Sequence, residues 1–316
     1  MRVLVAVNPE ASRAEAALSE LAAWFGKNCE STFVTTSSED DLKRALLHNG
    51  PTADRIVIGG GDGTISNALP ELLQLDKPLA VLPLGTANDF ARSLGLPPDS
   101  MAAAQVALHG RSHKVDIGLV NGRPFLNVAS VGVAAKVSQV QSKELKRTWR
   151  ILSYVIGLLR AMLEARPFYV ELAIDNASTW SGSVYQVSIG NGRYHGGGLT
   201  VAQHAAIDDG KLNVYIVLAG TFWQLLACIA HLKFGFAQPD VLHRESARHV
   251  RLRTGRPRSV NADGEISTNT PAEFTLLPKR MTVMVPERLP PDHGGLAGLS
   301  VSACEAEVPA GRFSKG

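Results

Sequence analysis

Arg55-Ile56-Val57-Ile58-Gly59-Gly60-Gly61-Asp62-Gly63-Thr64-Ile65-Ser66-Asn67 decides the fold. Ile56-Val57-Ile58 is a β-branched run that favours a strand. The glycines end it, and from Asp62 onward the apolar positions Ile65, Leu69, Leu72 and Leu73 follow a helical period. A strand that passes through glycines into a helix suits phosphate. Glycine lets main-chain N–H groups approach an anion with no Cβ in the way. The helix start adds free N–H groups and the positive end of the dipole. A tight βα turn without a ligand is the plainer alternative, but four glycines in the five positions 59–63, with Asp62 and Thr64 beside them, weigh against it. No Gly-Lys-Ser/Thr of a Walker A loop is present, nor a Gly-x-Gly-x-x-Gly. Without a P-loop lysine the phosphate charge needs Mg2+, and Asp62 is a candidate to help hold it.

The surrounding sequence repeats the pattern. Apolar runs at Val3–Val7, Ser31–Val34, Arg55–Ile58 and Leu79–Leu82 alternate with helical stretches. Continuous apolar strands between helices imply a parallel sheet buried on both faces, so the first half is expected to be a doubly wound α/β domain. Loops at the carboxyl ends of such strands are where ligands bind. From about Lys114 the texture becomes mostly β. Strands are expected at Lys114–Val120 and Pro124–Val128, joined by Asn121-Gly122, a hairpin signal. More follow at Tyr169–Ile174, Ser183–Ile189, Leu212–Val217, Val250–Arg253, Glu273–Leu277 and Met281–Val285. The expected division is a nucleotide domain over 1–118, a β-rich, sandwich-like domain over 119–286, and a Pro/Gly/Ala-rich tail over 287–316. Helices are expected over 142–165 and 222–236.

Composition sets the outer limits. The 316 residues are 45% hydrophobic and 19% charged, which excludes a disordered or collagen-like chain. Net charge +3 is too mild to argue for nucleic acid. Three cysteines, far apart, make no disulfide framework and fit a reducing compartment. The first nine residues read as a strand rather than a signal peptide. The apolar stretch 214–230 is broken by Gly220, Thr221 and Gln224, and falls short of the ~20 residues a membrane span needs.

Four further segments carry polar chemistry. Leu82-Pro83-Leu84-Gly85-Thr86-Ala87-Asn88-Asp89-Phe90-Ala91 is a second strand–loop–helix junction, in which Asn88 and Asp89 read either as helix N-caps or as a second wall of the same cleft. Gly190-Asn191-Gly192-Arg193-Tyr194-His195-Gly196-Gly197-Gly198, Ala206-Ile207-Asp208-Asp209-Gly210-Lys211-Leu212 and Asn261-Ala262-Asp263-Gly264-Glu265 follow. His195 and His204 flank the Gly196–Gly198 run, but a third zinc ligand is missing nearby.

Together with the glycine loop, these segments resemble the diacylglycerol-kinase catalytic family, which includes sphingosine and ceramide kinases, and more narrowly the bacterial YegS-like lipid kinases. The resemblance spans about residues 3–286, with five motifs in order. It implies an ATP- and Mg2+-dependent lipid kinase. ATP would touch Asn8 and Pro9, Thr36, the loop Gly60, Gly61, Asp62, Gly63, Thr64, Ile65 and Ser66, and Thr86, with Asn88 and Asp89 in the second wall. The family's Asn-Pro-x-x-Gly is broken here, because Ser12 stands in the glycine position. Glu265 is implied as the general base with Asp263 as its rival, while Asp62, Asp89 and Asp116 serve the catalytic Mg2+. A second, structural Mg2+ would be held by Asp209 and the carbonyls of Ala206 and Lys211.

The acceptor class follows from the same resemblance: a lipid hydroxyl, as in diacylglycerol, phosphatidylglycerol or a sphingoid base, met at an anionic membrane surface by a cytoplasmic protein in peripheral contact with the inner face. Lys143, Lys146, Arg147, Arg150 and Arg160, sharing a helix with Trp149 and Leu152, suit such a surface, or else the helix simply packs on a sheet. No stable protein partner is evident, and a homodimer stays open. The alternatives are a kinase of a soluble acceptor, as in NAD kinase, and a catalytically silent nucleotide-binding regulator.

Overall fold

The structure is a computed structural model that describes residues 1–132, 166–175, 178–192, 194–195, 199–200, 205–220, 224, 227 and 240–288. In the first half, strands β1 (Arg2–Val7), β2 (Glu30–Thr35), β3 (Arg55–Gly60) and β4 (Leu79–Pro83) alternate with helices. These are α1 (Ala14–Asn28), α2 (Glu39–Asn49), α3 (Asp62–Asn67), α4 (Leu69–Leu75), α5 (Asp89–Ser93) and α6 (Ser100–His109). The strands pair in the order β4-β3-β1-β2, all parallel. Successive side chains of β1 explain the burial of both faces. Val3, Val5 and Val7 pack with Leu21 and Phe25 of α1 and with Ala104 of α6, whereas Leu4 and Ala6 join Leu42 and Leu46 of α2. The expected doubly wound domain is present.

The second half is built of strands: β5 (Arg111–Val120), β6 (Arg123–Phe125), β7 (Val128–Gly132), β8 (Phe168–Ile174), β9 (Ser178–Gly190), β10 (Tyr194–His195), β11 (Leu199–Thr200), β12 (Leu212–Leu218), β13 (Leu242–Ala247), β14 (His249–Thr254), β15 (Ser259–Ala262), β16 (Glu265–Asn269) and β17 (Ala272–Val285). Their apolar faces, including Val131, Val170, Val187, Val214, Leu252, Val260 and Phe274, form a core of their own. Among the described residues no helix is long and apolar enough to cross a membrane.

Three strand expectations change. Glu273–Leu277 and Met281–Val285 are one strand, β17, with a register shift between Leu277 and Met281 and a left-handed Lys279 (φ 49°). Its two ends serve different cores: Phe274 packs in the second, Met281 and Val283 in the first. Val283 also pairs in parallel with Leu79 of β4, so the two sheets form one continuous sheet of 15 strands. The strand expected over Pro124–Val128 is interrupted at Leu126-Asn127, whose N–H groups turn away to Asp263. Finally, β13, β15 and β16 had no expectation, because LHRESA, SVNA and EISTN are too polar to show an apolar pattern. The helices expected over 142–165 and 222–236 lie outside the described residues, apart from Gln224 and Ala227, as do Arg193, Gly196–Gly198, His204 and the tail from 289 on.

Candidate active site

The glycine loop leaves β3 at Gly60 and enters α3 at Asp62. The first turn of any helix has N–H groups with no intrahelical acceptor. Here no side chain of the N-cap residue fills that role, because Gly61 has none. A Cβ added at Gly63 would meet nothing within 4 Å, so that side of the loop is open. Gly85 is different. Its Cβ would stand 2.4 Å from the Cα of Gly61. The two loops therefore touch glycine to glycine: Gly85 cannot carry a side chain there, and a Cβ at Gly61 would be tight, 3.3 Å from the Cα of Gly85.

Asp62 locks this contact. Its Oδ2 accepts from the N–H of Asp89 (3.0 Å) and its Oδ1 from the N–H of Phe90 (2.9 Å). It thereby caps α5 from another loop. Asn88 occupies the N-cap position but does not cap: it is left-handed (φ 51°), and its Nδ2 donates instead to the carbonyls of Pro83 (3.2 Å) and Gly85 (2.9 Å). Asp89 is buried inside the helix start, with Oδ1 3.6 Å from Arg92. The N-cap reading of these two residues is thus replaced by Asp62. A carboxylate has about four lone-pair positions, so Asp62 retains acceptor capacity beyond its two N–H bonds.

The first-strand loop closes on the same place. Asn8 donates its N–H to Gly59 O (2.8 Å), and its Oδ1 accepts from the N–H of Glu10 (2.9 Å). Thr36, buried, donates its N–H to Val7 O (2.9 Å) and so lies beside Asn8. Ser12, the residue that departs from the family's glycine, donates its hydroxyl to Leu84 O (3.3 Å) and receives that of Thr86 (3.5 Å). The departure thus ties the Pro9–Ser12 loop to the second wall.

The acid turn comes from the other half. Asp263, left-handed at φ 49°, points its carboxylate inward. Oδ2 accepts from the N–H of Leu126 (2.6 Å) and the hydroxyl of Ser66 (3.0 Å); Oδ1 accepts from the N–H groups of Asn127 (2.9 Å) and Val128 (3.1 Å). Burial pushes its carboxyl above the ordinary aspartate range, against these four bonds, each of which favours the anion. Glu265, two residues on, is exposed and takes one long contact, from Nδ2 of Asn67 (3.4 Å). Ser66 and Asn67 end α3, so the acid turn abuts the helix that the glycine loop opens. Glu39 Oε2 also lies 3.4 Å from Asn67 Nδ2.

A second acidic group lies at the 206–211 turn. Asp209 accepts the N–H groups of Ala206 (3.1 Å) and Lys211 (2.9 Å). Its carboxyl is pushed up, first by burial and also by the nearby charge of Asp116. Asp116, expected at the catalytic Mg2+, is fully buried with its carboxylate on the N–H groups of Gly210 (2.7 Å) and Lys279 (2.6 Å). It belongs to this turn rather than to the glycine loop. His113 adds a contact to Asp208 (2.8 Å). Among the described residues no group of three or more His, Cys, Asp or Glu side chains is arranged to hold a metal. Crowded, half-buried acids fit a hard cation, which would relieve both the burial and the repulsion.

The loop Leu126-Asn127-Val128 and the side chains of Asn67 and Ser12 had no assigned contact in the sequence reading. Main-chain N–H groups are common to every non-proline residue, so the first of these carries no sequence signal.

Known proteins share the two-domain order of this chain. Residues 2–120 match the diacylglycerol kinase catalytic domain, and residues 127–285 match the YegS C-terminal NAD kinase beta sandwich-like domain. A Pseudomonas fluorescens protein named "Probable lipid kinase YegS-like" is 34% identical over 243 residues, covering 75% of this chain and 79% of its own. A Bacillus anthracis structure described as "A putative diacylglycerol kinase" superposes with TM-score 0.78 at 26% identity, over 90% of this chain and 97% of that one. An Archaeoglobus fulgidus NAD kinase shares the fold alone, with TM-score 0.50 at 12% identity over 91% and 94% of the two chains. The two domains in this order and the extent of the likeness establish that the chain belongs to the YegS-like family of lipid kinases, within the diacylglycerol kinase catalytic group.

Proposed function

We propose that the protein transfers the γ-phosphoryl group of ATP to a hydroxyl of a membrane lipid, with Glu265 accepting the hydroxyl proton. What supports the reading is the meeting of the two halves at one short helix: Ser66 with Asp263 at 3.0 Å and Asn67 with Glu265 at 3.4 Å. The hydroxyl oxygen forms a bond to the γ-phosphorus, the bond to the bridging oxygen breaks, and ADP departs. The proton needs a carboxylate with a free lone pair. Asp263 has four donors on its two oxygens, whereas Glu265 has one long contact and faces solvent. Glu265 is therefore the base and Asp263 the residue that holds the turn. The open N–H groups around Gly61–Thr64 would meet the phosphates, and the second wall at Thr86–Asp89 would close the cleft.

Mg2+ fits the oxygen donors present. Asp62, with Asp89 behind it, would hold the catalytic ion; Asp209 and the carbonyls of Ala206 and Lys211 would hold a structural one. When bound, the catalytic ion neutralises phosphate charge, a task for which the glycine loop has no lysine. The acceptor keeps its tails in the bilayer, so the protein would work at an anionic membrane surface from the cytoplasm.

Labelled ATP with vesicles containing diacylglycerol, phosphatidylglycerol or a sphingoid base tests the reading. Label in the lipid phase is the expected result and names the acceptor. Label on an aqueous product would move the chain to a soluble acceptor, and no transfer would leave a nucleotide-binding regulator.

A further inference from the structure

The Gly190-Asn191-Gly192 segment has no role in the reaction as described so far. Asn191 is 2% exposed, yet it is polar and sits at the end of β9. Its Nδ2 donates to two main-chain carbonyls, Asp116 O (2.8 Å) and Leu126 O (3.1 Å). Its own N–H donates to Asn127 O (2.8 Å). Its Oδ1, buried as well, has no hydrogen-bond partner among the described residues. The side chain is thus used purely as a two-pronged donor. A buried polar atom without a partner is unfavourable, so a residue that keeps one there needs the prongs for something.

The two carbonyls belong to residues that bond to the two acidic turns, Asp116 to Gly210 and Leu126 to Asp263. Leu126 and Asn127 share a peptide group. Its carbonyl takes the proton of Asn191, and its N–H points to Asp263 Oδ1. A hydrogen bond at one end of a peptide strengthens the bond at the other. Asp116 carries the other prong, and its carboxylate holds the N–H of Gly210. The contacts therefore run without a break from Gly210 through Asp116, Asn191 and Leu126 to Asp263, and on to Ser66 of α3. An ionised carboxylate has no donor and a hydroxyl has one; of the small side chains only the amide of asparagine reaches two carbonyls at once.

We propose that Asn191 is a positioning residue for the phosphoryl transfer: it sets the Asp263-Gly264-Glu265 turn against both the glycine-loop helix and the 206–211 turn. It acts through the 126–128 peptides, not by touching substrate. The inference rests on the kinase reading above. Displacing a reacting group by about 1 Å can cost about a hundredfold in rate.

Two measurements on the full-length protein test it. Asn191→Leu keeps the volume and removes both prongs. Its kcat is expected to fall at least about tenfold with the KM for ATP within about twofold, because Asp62 ties the glycine loop to the second wall and this chain of contacts meets α3 only at its last turn, at Ser66. Amide exchange at Leu126, Asn127 and Val128, followed without nucleotide, is expected to quicken by a similar factor. Should the leucine variant not fold, Asn191→Ser, with one donor, is measured the same way and should show a smaller loss of the same kind. Wild-type kcat in a folded variant, equal changes in kcat and KM, or unchanged exchange at 126–128 would each overturn the proposal. If the wild type transfers no phosphate, the kinase reading fails, while the exchange experiment still decides the structural half of the claim.

Discussion

The glycine loop and the acid turn are both held by an aspartate that accepts main-chain N–H groups, but the two ties reach very different distances along the chain. Asp62 joins residues 27 and 28 positions away, within one lobe. Asp263 joins Ser66, 197 positions away, and Leu126, Asn127 and Val128, 135 to 137 positions away. The tie made by Asp62 is therefore local, formed once β3, β4 and their helices have formed. The tie from Asp263 to Ser66 exists only when both halves are in place. Beside Asp263 stands Glu265, exposed and with a single long contact, to Asn67, among the described residues. One acid holds the turn, and its neighbour two residues on is the proposed base.

The largest effect should come from separating those two roles. Glu265→Gln is expected to lower kcat at least about a hundredfold, the usual span for a general base, which is about 3 kcal/mol of barrier. Its thermal midpoint should match the wild type, because the side chain is exposed. Steady-state kinetics beside a melt reads both, and retained turnover would mean that Glu265 is not the base.

Asp263→Ala should act in the opposite sense, on stability first. It leaves four donors without an acceptor, at about 1–3 kcal/mol for a buried one, so a loss of about 3 kcal/mol in a urea titration is expected. Asp62→Ala strands two and should lose less. Equal losses would break the distinction between a local and a long-range tie.

Gly63→Ala should be smaller still. The added methyl meets nothing in the protein, and alanine is favoured over glycine in a helix by about 1 kcal/mol, so stability should hold or rise slightly. ATP affinity, by calorimetry, should nevertheless fall, because the methyl occupies the open side of the loop. An unaltered Kd would remove Gly63 from the phosphate site.

The smallest effect concerns pH. The Asp209 carboxyl is raised above its ordinary value of 3.8, so the folded protein holds that proton more tightly than the unfolded chain. Its contribution to stability is fully present below about pH 4 and is lost as pH rises through the raised value. Asp209→Asn should therefore compare worst with the wild type in acid and best near neutrality, in urea titrations across that window. Mg2+ should shrink the neutral-pH advantage of the variant. A difference between the two proteins that stays level with pH would contradict the buried setting of Asp209.

Much of the first half was legible because its signals are local. β1, β3 and β4 are apolar on both faces, and Gly59–Gly63 marks the loop in any context. The second half was harder for a physical reason. β15 and β16 are short and polar, and the pairing of β16 with β15 and of β15 with β7 comes from main-chain bonds, not from an apolar pattern. β17 looked like two strands because the bulge at Leu277–Met281 interrupts it, and its double membership in the two cores depends on distant partners. Asn88 and Asp89 read in the sequence either as N-caps of α5 or as a wall of the cleft; the capping carboxylate is Asp62, far back in the chain.

By itself the sequence determined a parallel α/β domain, a β-rich partner, and a short set of candidate acids. Those follow from hydrophobic period, glycine placement and side-chain type, which each residue carries with it. Only the tertiary structure decided which acid is saturated and which is open, where Asp116 belongs, and what Asn191 holds. These depend on main-chain N–H and C=O groups, which nearly every residue possesses; folding alone determines whom they meet.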